Sequence, residues 1–505
     1  MGLTSPTNSN LGASSAWLQV SHGNADIAAI FKTNTSYETA GWVVAQKGCW
    51  SMLKGGLVSK NSGADIWADS ISLQPFTHEE WKSHQDESIE KVRKTRVKFQ
   101  AVDQHGQPIP NATISIINKR PNFPLGVAIN KNILGNNAYQ NWFTSRFKLT
   151  VFENELKWVS DEVNRGAENY SIPDALLQFA KRNGVLVRGH NVIWDDPKYQ
   201  PYWVYGLSPN DLRAVATHRT NAVVLRYRGQ LIHWDVVNEN LHWNFYESRL
   251  GDNASTFFYQ RARYIDRKML PFLNEYNTIE EPGDGASSPA KYMQKIQLLR
   301  SQGYKGPLGI GLQGHFGIPN LPYVRSSIDF LASAGLPIWI TELDVKPNPN
   351  QVLALILKKH VFFIFGQAAY LEQILRELHA HKAVRGILLW VAWSPQGCYT
   401  MCLTDNNFKN LATGDVVDKI RNEWSSAADL PGTTDSNGFF QTSLFHGEYE
   451  AKISHPKEIN FLLTKRLISY QKRKHEMCIV SRLTYKLAGD RKLVLQDRWS
   501  EFDLI

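Results

Sequence analysis

Between about residues 123 and 427 the chain repeats one pattern eight times: a short apolar run, then an amphipathic stretch. The runs occupy residues 124–129, 149–153, 185–194, 232–239, 271–276, 307–313, 337–345 and 386–393. Helical spacing of apolar residues fills the gaps, as at 173–182, 209–227, 288–302 and 326–334. Short continuous apolar runs suit strands buried on both faces, which is the condition of a parallel sheet flanked by helices. Eight units over about 300 residues favour closure into a (β/α)8 TIM barrel rather than an open α/β sheet.

The flanks read differently. Residues 16–76 alternate apolar and polar positions in short runs separated by Gly, Asn and Ser, a β pattern. Residues 77–94 are charged and predict a connecting helix, and 95–118 predict two strands around a Gly/Pro turn, a β-hairpin. Residues 428–456 are loop-rich with short strands, a C-terminal β extension. Residues 457–505 lack periodicity. The expected division is therefore 1–76, 77–122, a barrel at 123–427, 428–456 and a basic tail at 457–505.

Composition excludes some classes. The net charge is +9, but residues 457–505 hold eleven Lys or Arg against six Asp or Glu, an excess of five. The remainder carries no basic stripe with nucleic-acid-motif spacing, so no nucleic-acid partner is expected. The most apolar stretch, 352–366, is broken by Lys358 and Lys359 and falls short of the roughly 18 residues of a membrane span. Four cysteines, Cys49, Cys398, Cys402 and Cys478, make no disulfide scaffold and no zinc pattern. Cys398 and Cys402 are near enough to pair, and free thiols are equally compatible with the spacing. Residues 1–15 show no signal-peptide pattern, while sequons at Asn34, Asn111, Asn169 and Asn253 are compatible with secretion.

In such a barrel the chemistry sits where strands end. The fourth run ends in HWDVVNE, with Asn238 and Glu239, and the seventh in WITELD, with Glu342 and Asp344. A single Glu after a strand is commonly a helix-start residue. Two on one rim supply the acid and the carboxylate that glycoside hydrolysis requires. Other run ends offer groups that hold a sugar: Glu153, Asn154 and Lys157 after the second, His190 and Trp194 after the third, Gln313 and His315 after the sixth, and Trp390 after the eighth. No phosphate loop, HExxH or Ser-centred elbow competes for the site.

The motifs WDVVNE (234–239), ITELD (340–344), FENELKW (152–158), GHNVIW (189–194) and GLQGH (311–315) resemble glycoside hydrolase family 10 endo-β-1,4-xylanases, in the family's order. The flanking text is similar to the plant branch. The resemblance implies a retaining endo-hydrolase of xylan, with Glu239 as acid/base and Glu342 as nucleophile. It also implies Asn238 on the sugar 2-hydroxyl, and His315 with Asp344 holding Glu342 ionised. Glu153, Asn154, Lys157, His190, Trp194, Gln313 and Trp390 would line the glycone subsites. It implies neither metal nor cofactor, a xylan or arabinoxylan partner, a monomer, and an extracellular, cell-wall location. Residues 13–76 are similar to the later half of a family 22 carbohydrate-binding module, a partial β-sandwich.

The chain departs from the family in three places. After Trp390 the segment VAWSPQGCYTMC leaves Trp393 or Tyr399 as the aromatic expected to cover the site. Residues 352–367 interrupt the family's text, starting with Val and ending with Gln, which reads as a translated intron or else a longer, greasy seventh helix. The tail after 457 has no counterpart. A silent wall-binding protein and a retaining β-glycanase for another wall polysaccharide are the rival readings.

Overall fold

The computed structural model describes residues 78–102, 107–347, 366–425 and 430–454, with short strands at 2–4, 14–15, 25–28, 41–44, 69–72, 465–468 and 477–482. Most of the N-terminal module and nearly all of the 352–367 interruption thus lie outside the described residues.

Eight parallel strands form the barrel: β1 Leu125–Ile129, β2 Leu149–Phe152, β3 Leu186–Gly189, β4 His233–Asn238, β5 Leu270–Glu275, β6 Gly309–Phe316, β7 Ile338–Val345 and β8 Val384–Leu389. Each pairs with its neighbours in sequence, β8 pairs with β1 through Ile387 opposite Leu125, and β3 joins β4 through Arg188 opposite His233. The expected (β/α)8 TIM barrel is the fold present. The third run divides, because the chain leaves β3 at His190 and returns as the two-residue strand Ile193–Trp194, which extends the edge of β4.

Helix starts are written locally. Ser208 and Ser288 each accept a backbone N–H three residues on, with Pro at the first helical position behind them, and Asn320 caps its helix likewise. Inside the barrel Ala128, Leu149, Val151, Phe272, Trp339 and Leu388 pack together. Two glycines make room for the rings: a Cβ on Gly309 would lie 2.4 Å from Phe272 and one on Gly386 2.4 Å from the Trp339 indole. His233 sits between those aromatics at 4.5 and 4.6 Å, and burial with the Arg188 charge pushes its imidazole down to about 2. It is therefore a neutral member of the core.

Residues 84–123 and 419 onward form a second compact unit. Strand Lys94–Val102 pairs with Phe439–Phe445, and strand Thr113–Pro121 pairs with Leu430–Thr433 and Gly447–Ser454. The hairpin expected over 95–118 does not form: its two strands belong to different sheets. The reason is packing. Val97, Phe99 and Ala101 from one strand meet Ile114 and Ile116 from the other, with Leu444, Tyr449 and Ala451, in one shared core. Facing sheets bury those side chains on both sides, whereas a lone two-stranded hairpin would leave one face wet. The basic tail contributes strands Lys465–Ile468 and Met477–Arg482 to these sheets, so it is not wholly irregular.

One buried arginine fastens the loops after β2 and β3. Arg219, on helix Pro209–Arg226, pairs with Asp161 at 2.7 Å and donates to the carbonyls of Leu156, Asn191 and Val192. Replacing it with Met leaves the Asp161 charge buried and alone, a loss of about 3–5 kcal/mol for a broken buried pair. Arg219→Met is expected to lower the urea midpoint accordingly, at an unchanged denaturant slope.

Candidate active site

The rim at the C-terminal ends of the strands brings the candidate residues other than Glu153 into one connected set of contacts. Glu239 leaves β4 with a left-handed φ of 57°, and its N–H donates to the Asn274 carbonyl of β5 at 2.9 Å. Its carboxyl accepts from Trp194 Nε1 at 2.8 Å and from Gln313 Nε2 at 3.0 Å. Gln313 Oε1 then meets His315 Nε2 at 3.1 Å, and that nitrogen lies 3.6 Å from Glu342 Oε2. The two carboxyls are thus bridged by one amide and one imidazole.

Glu342 is surrounded. Asn274 Nδ2 donates to its Oε1 at 3.0 Å and to Asn238 Oδ1 at 2.9 Å, while His190 Nδ1 stands 3.9 Å away. His190 is itself held by Asp235 at 2.9 Å, and Asp235 takes a bidentate pair from Arg188, all three side chains fully or almost fully buried. The His190–Asn191 peptide is cis. His315 Nδ1 lies 3.0 Å from Asp344 Oδ1. With oxygen acceptors at both nitrogens, the His315 ring is best satisfied as an imidazolium.

The remaining predicted groups line the β1–β3 side and β8. Lys157 donates to Asn154 Oδ1 at 2.9 Å and lies over the rings of Trp194 at 4.7 Å and Trp390 at 5.8 Å. Trp390 meets His190 edge-on at 5.6 Å. Glu153 accepts from Asn130 Nδ2 at 3.1 Å.

Electrostatics separate the two carboxyls. Burial, and then the nearby charges of Glu275 and Glu342, push Glu239 up to about 8 against its hydrogen bonds from Gln313 and Trp194. Glu342 is also buried, which by itself raises a carboxyl. His190, His315 and Lys157 more than offset that and hold it at about 2. Burial opposes charge on His315, yet Asp344 and Glu342 raise it well above the usual imidazole range. Near neutral pH one carboxyl keeps its proton while the other is ionised, the division of roles that acid–base work by a pair demands.

Several residues at the site are not among those the sequence pattern singled out. Asn130 at the end of β1 and Asn274 and Glu275 at the end of β5 stand where strand-end residues are sought, and the texts AIN and LNEYN carry the signal. Tyr199 stacks on Trp194 at 3.9 Å and 11°, a contact that spacing alone cannot show. The aromatic cover expected from Trp393 or Tyr399 does not form. Trp393 is buried against Tyr139 and Phe408, with its indole N–H on Asn406, and Tyr399 is 99% exposed. On either side of Tyr399, Cys398 and Cys402 form a disulfide that closes the loop. Among the described residues no group of three or more His, Cys, Asp or Glu is arranged to hold a metal ion, and no helix is long and apolar enough to cross a membrane.

A parallel barrel carrying an acid and a carboxylate on one rim defines a glycosidase scaffold. Residues 116–409 match the sequence profile of glycosyl hydrolase family 10. Endo-1,4-beta-xylanase 5 of Arabidopsis thaliana is 42% identical over 88% of this chain and 80% of its own length. Endo-1,4-beta-xylanase 4 of the same plant is 39% identical over 83% and 76%. The crystal structure of xylanase 10B from Thermotoga petrophila RKU-1 in complex with xylobiose shares the fold, with a TM-score of 0.51 at 22% identity over 60% of this chain and 95% of that one. The chain belongs to glycosyl hydrolase family 10.

The shift of Glu239 has a consequence for stability. Its folded value of about 8 lies above the ordinary 4.5, so its contribution is fully present below about pH 4.5 and is lost as pH rises through about 8. Glu239→Gln, neutral at every pH, is expected to gain on the parent in thermal midpoint from about pH 5 to about pH 9. Melts across that range check it, and a constant gap would show that Glu239 is ionised throughout.

Proposed function

We propose that the protein is an endo-1,4-β-xylanase that cuts the xylan backbone by a retaining double displacement. The observation that carries the reading is the placement of Glu239 and Glu342 on one rim, linked through Gln313 and His315, in surroundings that push the first carboxyl up and the second down. Xylan as the substrate is supported by the names of the Arabidopsis relatives, which are identical to this chain at about two positions in five.

In this reading Glu342 attacks the anomeric carbon while Glu239 gives its proton to the departing oxygen, forming a glycosyl–enzyme ester and a free chain end. Glu239, now ionised, takes a proton from water as that water attacks the same carbon. Glu342 departs as a carboxylate and the starting protonation is restored. Asn238 suits the sugar 2-hydroxyl: its Oδ1 is already held by Asn274, and its buried Nδ2 has no partner among the described residues. Glu153, Asn154, Lys157, His190, Trp194, Gln313 and Trp390 bind the glycone, with Trp194 backed by Tyr199 so that its indole stays oriented on Glu239. His315 and Asp344 keep Glu342 charged, and Lys157 adds a buried cation nearby.

Residues 13–76 are proposed to be part of a family 22 carbohydrate-binding module, on their sequence similarity. A cell-wall location agrees with a xylan substrate and with the Cys398–Cys402 disulfide, since such bonds persist in oxidising compartments.

Reducing-sugar release from arabinoxylan tests the reading. Glu239→Gln is expected to lower kcat by roughly 10²–10⁴-fold, the range for a lost general acid, and Glu342→Gln to abolish turnover. The parent should release the β-anomer first, as followed by proton NMR, and kcat/KM should fall above about pH 8 as Glu239 loses its proton. Initial release of the α-anomer would overturn the double displacement.

A further inference from the structure

The turn that presents Glu239 is latched to β5 by a group outside the substrate-facing set. Two residues past Glu239, Leu241 N–H donates to Glu275 Oε2 at 2.8 Å. His242 follows, with Nδ1 2.6 Å from Glu275 Oε1 and Nε2 2.8 Å from Asp284 Oδ2. Its ring lies flat on Tyr276, 3.8 Å between centroids and 6° between planes. Asp284 is fixed in turn by Asn277 Nδ2 and the Ala286 N–H. A ring with a carboxylate on each nitrogen donates from both, so His242 is an imidazolium held at three faces.

We infer that His242 is a positioning residue for the acid step: bridging Glu275 and Asp284 as a cation, it keeps Glu275 ionised beside Glu239, and the Glu275 charge retains the proton on Glu239. The inference rests on Glu239 being the general acid.

The titratable groups facing His242 are Glu275, Asp284 and Tyr276; those facing Glu275 are His242, Glu239, Tyr276, Tyr292 and, after the strand Ile193–Trp194, Asp195. Glu275 is 2% exposed, and a carboxylate so buried keeps its charge only beside a cation. Burial pushes Glu275 up and His242 offsets that only in part, so Glu275 stays above the ordinary carboxylate range; after burial itself, Glu275 is the largest influence raising Glu239. Burial works against charge on His242 too, but its two carboxylates lift it to about 9. Without the imidazolium, Glu275 takes up a proton and falls silent, and Glu239 then releases its own proton at lower pH. The position of the alkaline limb of activity therefore reads the state of a residue that never touches sugar.

The test is a set of pH profiles of kcat/KM on arabinoxylan for the parent, His242→Gln, Glu275→Gln, Asp284→Asn and the His242→Gln/Glu275→Gln double variant. The alkaline limb is expected to move to lower pH by about one unit in the first two variants, within the range for a neighbouring charge. Asp284→Asn should move it the same way by less, and the double variant should match Glu275→Gln. A merely structural role lowers activity at every pH and leaves the limb in place. A limb that stays put or moves up in His242→Gln, or a double variant displaced further than Glu275→Gln, overturns the inference. Should His242→Gln fail to fold, Asp284→Asn decides alone, since the Asp284 side chain is partly exposed and an unmoved limb there overturns the inference equally. Glu239→Gln is assayed alongside on arabinoxylan and on a dinitrophenyl xylobioside, whose leaving group needs no proton. Loss of kcat/KM on the polymer with its retention on the aryl substrate, where kcat/KM reads formation of the glycosyl–enzyme and not the base-assisted second step, upholds Glu239 as the acid. Full activity of Glu239→Gln on both removes that reading and the inference with it, and is thereby told apart from failure of the His242 role alone.

Discussion

Two buried carboxyls share a rim, and identical surroundings would leave them competing for one proton. The bridge from Glu239 through Gln313 and His315 to Glu342 breaks that symmetry. Gln313 donates to one carboxyl while its oxygen accepts from the imidazole beside the other. The surrounding charges reinforce the same bias. His190, braced by Asp235 and Arg188, and the buried Lys157 lie on the Glu342 side, whereas the further carboxylate Glu275 lies on the Glu239 side. The barrel serves this arrangement by holding strand ends from β1 to β8 at fixed spacing, so that side chains from distant parts of the sequence meet with little freedom left to lose.

Much of this is legible in the sequence, for a physical reason. Strands buried on both faces read as unbroken apolar runs, and the polar residue that ends each run must be at the rim. HWDVVNE and WITELD therefore mark Glu239 and Glu342 as rim carboxyls by pattern alone. What is not legible is lateral. Asn274 reaches Asn238 because β5 lies beside β4 in the closed sheet, and it reaches Glu342 past β6, from a strand two places away. The stack of Tyr199 on Trp194 depends on how a loop folds back, which no periodicity records. Trp393 illustrates the reverse error: an aromatic at the right place in the text is taken into the wall by Tyr139 and Phe408.

The strands at 94–102 and 113–121 show why local pattern misleads outside the barrel. Alternation around a Gly/Pro turn describes a hairpin and a sheet-to-sheet crossing equally well. The choice is made by residues 439–445 and 447–454, more than 300 positions away, which supply the true partners. Sequence proximity loses to the burial of Phe99, Ile114 and Tyr449 in a common core.

The left-handed backbone at Glu239 has a bearing on how this protein tolerates change. Few side chains other than glycine and asparagine rest comfortably at a φ of 57°, and a glutamate there stores conformational cost in the native state. The residue proposed as the acid is thus among those least suited to their own backbone. A selection for thermal endurance alone would favour glycine at this position and enrich inert molecules. Stability and the proposed catalytic role draw on the same peptide unit here, so the chain holds this glutamate against a standing thermodynamic preference for losing it.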